Sequence, residues 1–514
     1  MQNINRFESM VKNSIFAIIE QIIYSSLSFL TRTVFIYTLG KLYLGFNGLF
    51  SDILTLLSLG ELGVGTAITY SMYKPAAYGD YGKLMSLLNF YKKIYRIIGT
   101  TLTIIGLMLI PFLSLFISGI PNITELPLIY ILFLLNTTAS YFFVYKKSIL
   151  IVNQKSYIVS LLFILVTVLQ NVIQVIVLVC LSNYIIFLSI QLLGTVLNNI
   201  LVSLYVDIHY GFLKEYKNER IDDETKNSIF INIKAMIASK VSSAIVTSTD
   251  NLLISKFVST IILGIYSNYT LFIGMLRTTF VKIFESLIGS VGNIIVTESR
   301  DTIYDSFKKI WFVNFWLTGV SCSCLFCLID SFIVLWAGEE YVLDIKIVVL
   351  ICFNLYMRLI RSTFLMYIDT YGMFVEIRWK CIAEAIINLV ASLILVVPLK
   401  MGVVGILLGT LISNFTTNFW YEPYLLYKRK FGKKWRDYLL TFTKYFLSIF
   451  GGTIINYLLL NKIILIGGWC GFFSKLFICL ITINLFLCIL YKQASEYTYF
   501  IDLIKQNIYK VLRR

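Results

Sequence analysis

Leu192-Leu193-Gly194-Thr195 recurs 215 residues later as Leu407-Leu408-Gly409-Thr410. Asn199, Tyr205 and Asp207 follow the first copy, and Asn414, Trp420 and Glu422 follow the second at the same spacing. Two further matches keep nearly the same offset. Leu44-Gly45-Phe46-Asn47 lies over Leu263-Gly264-Ile265-Tyr266, and Tyr91-Lys92-Lys93-Ile94-Tyr95 over Phe307-Lys308-Lys309-Ile310-Trp311. Three short matches in order define a chain built twice from one unit of about 215 residues, the mark of a duplicated architecture.

The surrounding composition says what the unit is made of. Of 514 residues, 58% are hydrophobic and 14% are charged, and the mean hydropathy is +0.81. Soluble chains run at about 45–50% apolar and about 25% charged. The balance excludes a disordered chain, a secreted disulfide scaffold and an ordinary cytosolic enzyme. Nine cysteines, nearly all inside apolar runs, do not read as a disulfide framework; Cys322, Cys324 and Cys327 lie close together without a histidine and read as small core residues. The N-terminal dozen residues are polar, and the apolar run from Asn13 is too long for a signal peptide.

Segments of about 20 apolar residues cross a bilayer as helices. Fourteen are expected, at 13–39, 44–71, 97–117, 126–145, 157–181, 184–206, 229–255, 261–297, 310–334, 341–368, 379–399, 402–427, 442–460 and 467–491. Only Ser182, Asn183 and Tyr184 divide the fifth from the sixth. Lysines and arginines in the N-terminus, the even-numbered loops and the C-terminus outnumber those in the odd-numbered loops by about six to one. The five on the minority side are Lys41, Lys256, Lys346, Lys400 and Lys462. Both termini are therefore expected in the cytoplasm, and an even number of spans agrees in placing them on one side. Much of the net charge of +16 is then topological, and nucleic-acid binding loses its main support. The basic cluster at Lys428, Arg429, Lys430, Lys433, Lys434 and Arg436 reads as topology and contact with anionic head groups.

The repeat joins spans 1–6 to spans 7–12. Six is even, so the copies cross in the same sense and are expected to be related by a pseudo-twofold axis along the membrane normal. The expected fold is an all-α polytopic membrane protein with two six-helix bundles and two extra C-terminal helices. Residues 1–210 form the first bundle, 211–228 a cytoplasmic linker, 229–430 the second bundle, and 431–514 the added pair with a cytoplasmic tail.

Fourteen spans, the six-plus-six repeat and Leu39-Gly40 followed by Leu44-Gly45-Phe46 resemble the multidrug/oligosaccharidyl-lipid/polysaccharide exporter superfamily. Arg32 ahead of that motif, and Leu59-Gly60-Glu61-Leu62-Gly63 through Ala67, resemble its polysaccharide-transporter branch of Wzx-type repeat-unit flippases, with Glu61 where the branch usually carries aspartate. The resemblance covers spans 1–12 and is expected to extend over all 514 residues. It implies alternating access and translocation of a polyprenyl-diphosphate-linked oligosaccharide to the outer leaflet of a bacterial cytoplasmic membrane. Capsule, O-antigen or exopolysaccharide synthesis, and a polymerase or assembly complex as partner, belong to the same expectation.

Charged residues inside spans are costly and face a cavity or a partner. Glu20, Tyr24, Ser28, Thr31 and Arg32 share one face of span 1. Span 7 keeps a matching stripe of Ser239, Ser243, Thr247, Asp250 and Asn251, with Lys240 beside it. The stripes line a shared hydrated cavity or lie satisfied between helices. Arg277, Lys282 and Glu285 lie in span 8, Arg358 and Arg361 in span 10, and Asp52 and Glu61 in span 2. Arginine binds diphosphate bidentately and stays charged when desolvated. Arg32 and Arg277 are the expected head-group ligands, with Lys240, Arg358 and Arg361 as secondary members. Glu20, Asp52, Glu61, Asp250 and Glu285 pair with these cations or bind a coupling proton or sodium ion.

No G-x-x-x-x-G-K-[ST] loop is present, so ATP hydrolysis in this chain is not expected. With no hydrolytic or redox constellation, cofactor or metal, an enzyme is not expected either. A peptidoglycan-precursor flippase and a drug exporter of the same fold stay open as alternatives. A membrane-embedded polymerase or ligase fits poorly with the short external loops.

Overall fold

The computed structural model describes residues 2–61, 64–117, 125–216, 219–462, 467–499 and 501. Among them the regular structure is helical and no strand occurs. Backbone N–H and C=O groups in lipid have no water to bond, so an apolar chain closes its hydrogen bonds within each helix. Two compact units result, Met1–Gly264 and Ile265–Arg514.

Unit 1 contains α1 (Gln2–Leu57), α2 (Val64–Tyr78), α3 (Tyr81–Met108), α4 (Leu126–Ala139), α5 (Val144–Val152), α6 (Ser156–Leu181), α7 (Tyr184–His209), the short α8 (Phe212–Glu215) and α9 (Asp223–Phe257). α10 (Thr260–Thr297) starts in unit 1 and continues into unit 2. Unit 2 adds α11 (Arg300–Trp336), α12 (Ile345–Ile360), α13 (Ser362–Thr370), α14 (Phe374–Val396), α15 (Gly402–Ser413), α16 (Phe419–Tyr424), α17 (Trp435–Lys462) and α18 (Gly468–Tyr491). π-helical turns at Asn414–Asn418 and Leu425–Phe431 flank α16. Among the described residues nine helices are long and apolar enough to cross a membrane, or ten if the bent pair α4–α5 counts as one span. The protein is a multi-pass membrane protein.

The breaks have local causes. Gly40 takes φ +76° and divides α1 into two helices, where the sequence places the turn between spans 1 and 2. Ser182 adopts φ +47° and the Asn183 side chain accepts from the Ile186 N–H, so α6 and α7 are separate helices despite their short connection. The expectation of one unbroken span over 44–71 is corrected. A 3₁₀ turn at Ser58–Glu61 interrupts it, and α2 restarts at Val64. The glycines around Glu61 weaken the helix there, and the Glu61 carboxylate is drawn sideways by the Tyr95 hydroxyl at 2.9 Å.

The repeat motifs mark close helix contacts. A Cβ at Gly194 would press on the Gln170 side chain of α6, and one at Gly409 would meet the Ser392 hydroxyl and, at 2.7 Å, its backbone nitrogen on α14. Gly264 packs on the Lys41 carbonyl, and Gly45 on the carbonyl of Thr260. Lys41 and Thr260 are themselves 219 residues apart, so the two contacts are copies of one another. Glycine lets these backbones approach where any side chain would hold them apart.

α9 falls within the second bundle by repeat count, and it packs in unit 1. The Ser255 hydroxyl donates to the Phe116 carbonyl at 2.8 Å, and Asn251 donates to Asp52 on α1 at 2.6 Å. Unit 2 is built around an aromatic core with Trp311, Phe307, Phe315 and Tyr367 at its centre. The nine cysteines are free; Cys324 and Cys327 pack with Leu328, Leu460 and Cys479.

Candidate functional site

In unit 1 the polar stripe of span 1 divides. Thr31 is buried and donates to Asn171 of α6 at 2.6 Å, so this end of the stripe is satisfied between helices. Tyr24 is 48% exposed and its ring leans on Phe163. Glu20, Ser28 and Arg32 are half-buried on the same helix. Asp52 and Asn251 bond each other, which accounts for the amide that stands at the position equivalent to Arg32. Asp250 is half-buried beside them. The side chains of Lys240, Ser243, Thr247 and Glu285 lie outside the described residues.

In unit 2 the expected arginines separate clearly. Arg277 is half-buried on α10 and has no carboxylate partner among the described residues. Arg358 is half-buried near the end of α12. Arg361, at the α12–α13 junction, is already engaged. Its Nε donates to Glu422 Oε2 at 2.9 Å and its Nη2 to Glu422 Oε1 at 2.5 Å. Lys380 Nζ donates to the same Glu422 Oε1 at 2.8 Å and to Asn418 at 2.6 Å. Glu384 completes the set, 3.4 Å from Lys380 and 4.0 Å from Arg361. Asn418 donates to Glu384 at 2.6 Å and to Asn414 at 2.7 Å.

Two cations and two carboxylates thus neutralise each other, with Glu422 only 1% exposed. The space beside Arg361 and Glu422 amounts to about 10 Å³, room for about one water. A diphosphate does not fit there, so the expectation that Arg361 binds the head group is corrected. Burial requires charges to find partners, and the nearest helices supply them.

Sequence reasoning missed Lys380, Glu384 and Glu422 as partners, and the smaller pair Lys146–Asp207 in unit 1, where Nζ lies 2.5 Å from Oδ2. Two signals pointed to them: the i,i+4 spacing of Lys380 and Glu384, and the presence of Asp207 and Glu422 in the repeat. A separate cavity of about 410 Å³ between α11, α12 and α17 is lined by Phe326, Val349, Phe353, Phe446, Phe450 and Tyr457, among others. It has no cation to hold a phosphate. Among the described residues no three histidine, cysteine or acidic groups are placed to hold a metal.

This is the fold of a polytopic transporter. The chain is similar to a solved structure of the lipid II flippase MurJ in an inward-closed conformation, with a TM-score of 0.66 at 17% identity over 94% of this chain and 99% of that one. It is also similar to an inward-facing multidrug resistance MATE transporter of the MOP superfamily, at TM-score 0.62 and 14% identity over 80% and 95%. A Vibrio cholerae MATE transporter, VcmN, matches at 0.57 and 12% identity over 83% and 99%. No protein-family model and no curated protein sequence matches the chain. The structural neighbours are flippases and exporters rather than enzymes, and the chain shares their fold.

Proposed function

We propose that the protein is a flippase for polyprenyl (undecaprenyl) diphosphate-linked oligosaccharide repeat units, moving them from the cytoplasmic to the outer leaflet by alternating access. The observation that carries this reading is Arg277, a half-buried cation on a membrane-embedded helix without a carboxylate partner among the described residues. Such a charge is expensive unless an anion visits it, and a diphosphate supplies one in bidentate geometry. Arg32 on α1 is proposed for the same role by its place ahead of the Leu44-Gly45-Phe46 motif; Arg358 is a weaker member. Glu20, Asp52, Glu61 and Asp250 are the described carboxylates proposed to pair with these cations or to bind a coupling proton or sodium ion.

The fold is supplied by structures of a lipid II flippase and of drug exporters alike. The flippase structure covers 94% of the chain and the MATE structures 80% and 83%. That difference supports the flippase reading, since it is close to the share taken by the two added helices. A peptidoglycan-precursor flippase is the second reading, because it meets the same diphosphate chemistry. On the proposed reading both termini lie in the cytoplasm of a bacterial cell, and the glycan passes to a polymerase or assembly complex for capsule, O-antigen or exopolysaccharide.

Mass spectrometry of lipids from a deletion strain tests this. A complete lipid-linked repeat unit should accumulate and be cleared by the wild type. Arg277→Ala and Arg32→Ala should each lower clearance at least about tenfold, the loss of a charge-assisted contact of roughly 1.5–3 kcal/mol. Accumulation of the peptidoglycan precursor instead selects the second reading. No accumulated lipid-linked sugar, with normal surface polysaccharide, defeats both and favours a small-molecule exporter.

A further inference from the structure

The 215-residue offset that carries Gly194 onto Gly409 also carries Lys146 onto Arg361, Ser203 onto Asn418 and Asp207 onto Glu422. These are the residues the fold brings together in each unit. In unit 1, Lys146 Nζ donates to Asp207 Oδ1 and Oδ2 at 2.7 and 2.5 Å and to Ser203 at 2.7 Å. In unit 2, Arg361 holds Glu422 bidentately, and Asn418 lies in the same cluster. Cation and acid are 61 residues apart in both. Three polar positions in one register, each exchanged for a residue of the same charge or hydrogen-bonding type, mark one device present twice.

The copies also share a place in the fold. Each cation stands at the joint of the fourth segment of its repeat. Lys146 lies in the first turn of α5, just past the 47° bend between Leu126–Phe142 and Val144–Val152. Arg361 is the residue between α12 and α13. Each acid stands on the sixth segment.

We propose that this ion pair is a strap tying the fourth to the sixth segment of each unit, and that the two straps differ in strength: the one in unit 2 stays closed, and the one in unit 1 can release. In unit 2 the side chains of Arg361, Lys380, Glu384 and Glu422 are 16%, 5%, 15% and 1% exposed. Opening this strap leaves charges without water or partner, which is the costly case. In unit 1, Lys146 is 17% exposed and Asp207 44%, so water reaches the aspartate when the pair parts, and the pair holds less firmly than one in which the acid is enclosed. The second pair is also missing there. At the same offset Lys380 and Glu384 fall on Leu165 and Leu169, which are 60% and 53% exposed on α6. A releasable strap beside a sharp bend makes the α4–α5 joint the point at which unit 1 re-packs. This inference rests on the fold and not on the substrate.

The test is hydrogen–deuterium exchange on the purified full-length protein in micelles, read by mass spectrometry for peptides covering 143–153 and 358–371. Asp207→Asn should raise exchange at 143–153 several-fold and leave 358–371 unchanged. The charge-swapped double variant Lys146→Asp/Asp207→Lys should bring it back towards wild type. Glu422→Gln should give far less folded protein than Asp207→Asn. In the unmodified protein, raising salt to about 1 M, where the screening length falls to about 3 Å, should increase exchange at 143–153 only. If neither Asp207→Asn nor salt changes exchange at 143–153, or the swap fails to restore it, the unit-1 pair is no strap. If Glu422→Gln folds as well as Asp207→Asn, the two straps do not differ.

Discussion

Units 1 and 2 carry the same ion pair at the same place in the repeat and treat it in opposite ways. In unit 1 the pair has no second ion pair beside it, only Ser203, and its aspartate is half in water. In unit 2 it is enclosed, joined by Lys380 and Glu384, and bonded to Asn418. Duplication therefore preserved a contact while burial changed what the contact does. A pair whose acid is open to water can exchange that partner for solvent; an enclosed pair cannot part without stranding a charge.

The largest effect should come from breaking the enclosed set. Arg361→Leu leaves Glu422 with Lys380 alone in a site about 10 Å³ in size, and removing one partner of a buried pair costs about 3–5 kcal/mol. Thermal unfolding in micelles should show a large drop or no folded protein, whereas Lys146→Leu in unit 1 should be nearly silent. A comparable loss from both would erase the contrast between the units.

The repeat-related glycines sharpen the comparison at a smaller scale. Gly409→Ala would drive a methyl towards the Ser392 backbone nitrogen, at 2.7 Å, and its Cα at 2.8 Å. Helix backbones must then separate, at about 1–3 kcal/mol. Gly194→Ala meets only the side chain of Gln170, which can swing aside. Unfolding midpoints should therefore fall more for Gly409→Ala than for Gly194→Ala.

The smallest effect lies at the start of α9. The exposed Asp222 carboxylate accepts the Thr225 N–H at 2.7 Å and its hydroxyl at 2.8 Å. These bonds hold it below the usual carboxylate range. A carboxylate lowered on folding stabilises above its unfolded value of about 3.9, and that contribution fades as pH falls through the folded value. Exchange of the Thr225 amide should be slow at neutral pH, after correction for its intrinsic rate, and lose protection only in acid. Asp222→Ala should remove that pH dependence.

Much of this molecule was legible in the chain. Hydropathy gave helices in a bilayer, and a nearly constant offset gave the duplication. The turn at Gly40 and the split between α6 and α7 were marked by glycine and by Ser182-Asn183. Arg361 shows where such reading stops. As a letter in span 10 it was a good phosphate ligand, and nothing near it in the sequence says that Glu422, 61 positions on, takes both sides of its guanidinium. Asp52 and Asn251, 199 positions apart, are a second instance. The 3₁₀ turn before Val64 is a third, since Glu61 meets Tyr95 of α3, 34 positions on.

The sequence by itself determined that the chain lives in a membrane, that it is helical, and that its first six expected spans recur as the next six. These depend on apolar content and spacing, which are properties of a line of residues. Tertiary structure alone decided which in-span charges are spent on each other and which, like Arg277, have no carboxylate beside them among the described residues. In a low-dielectric interior a charge is governed by the group it faces across a few ångströms, and that group sits on another helix, at a distance along the chain that no local pattern encodes.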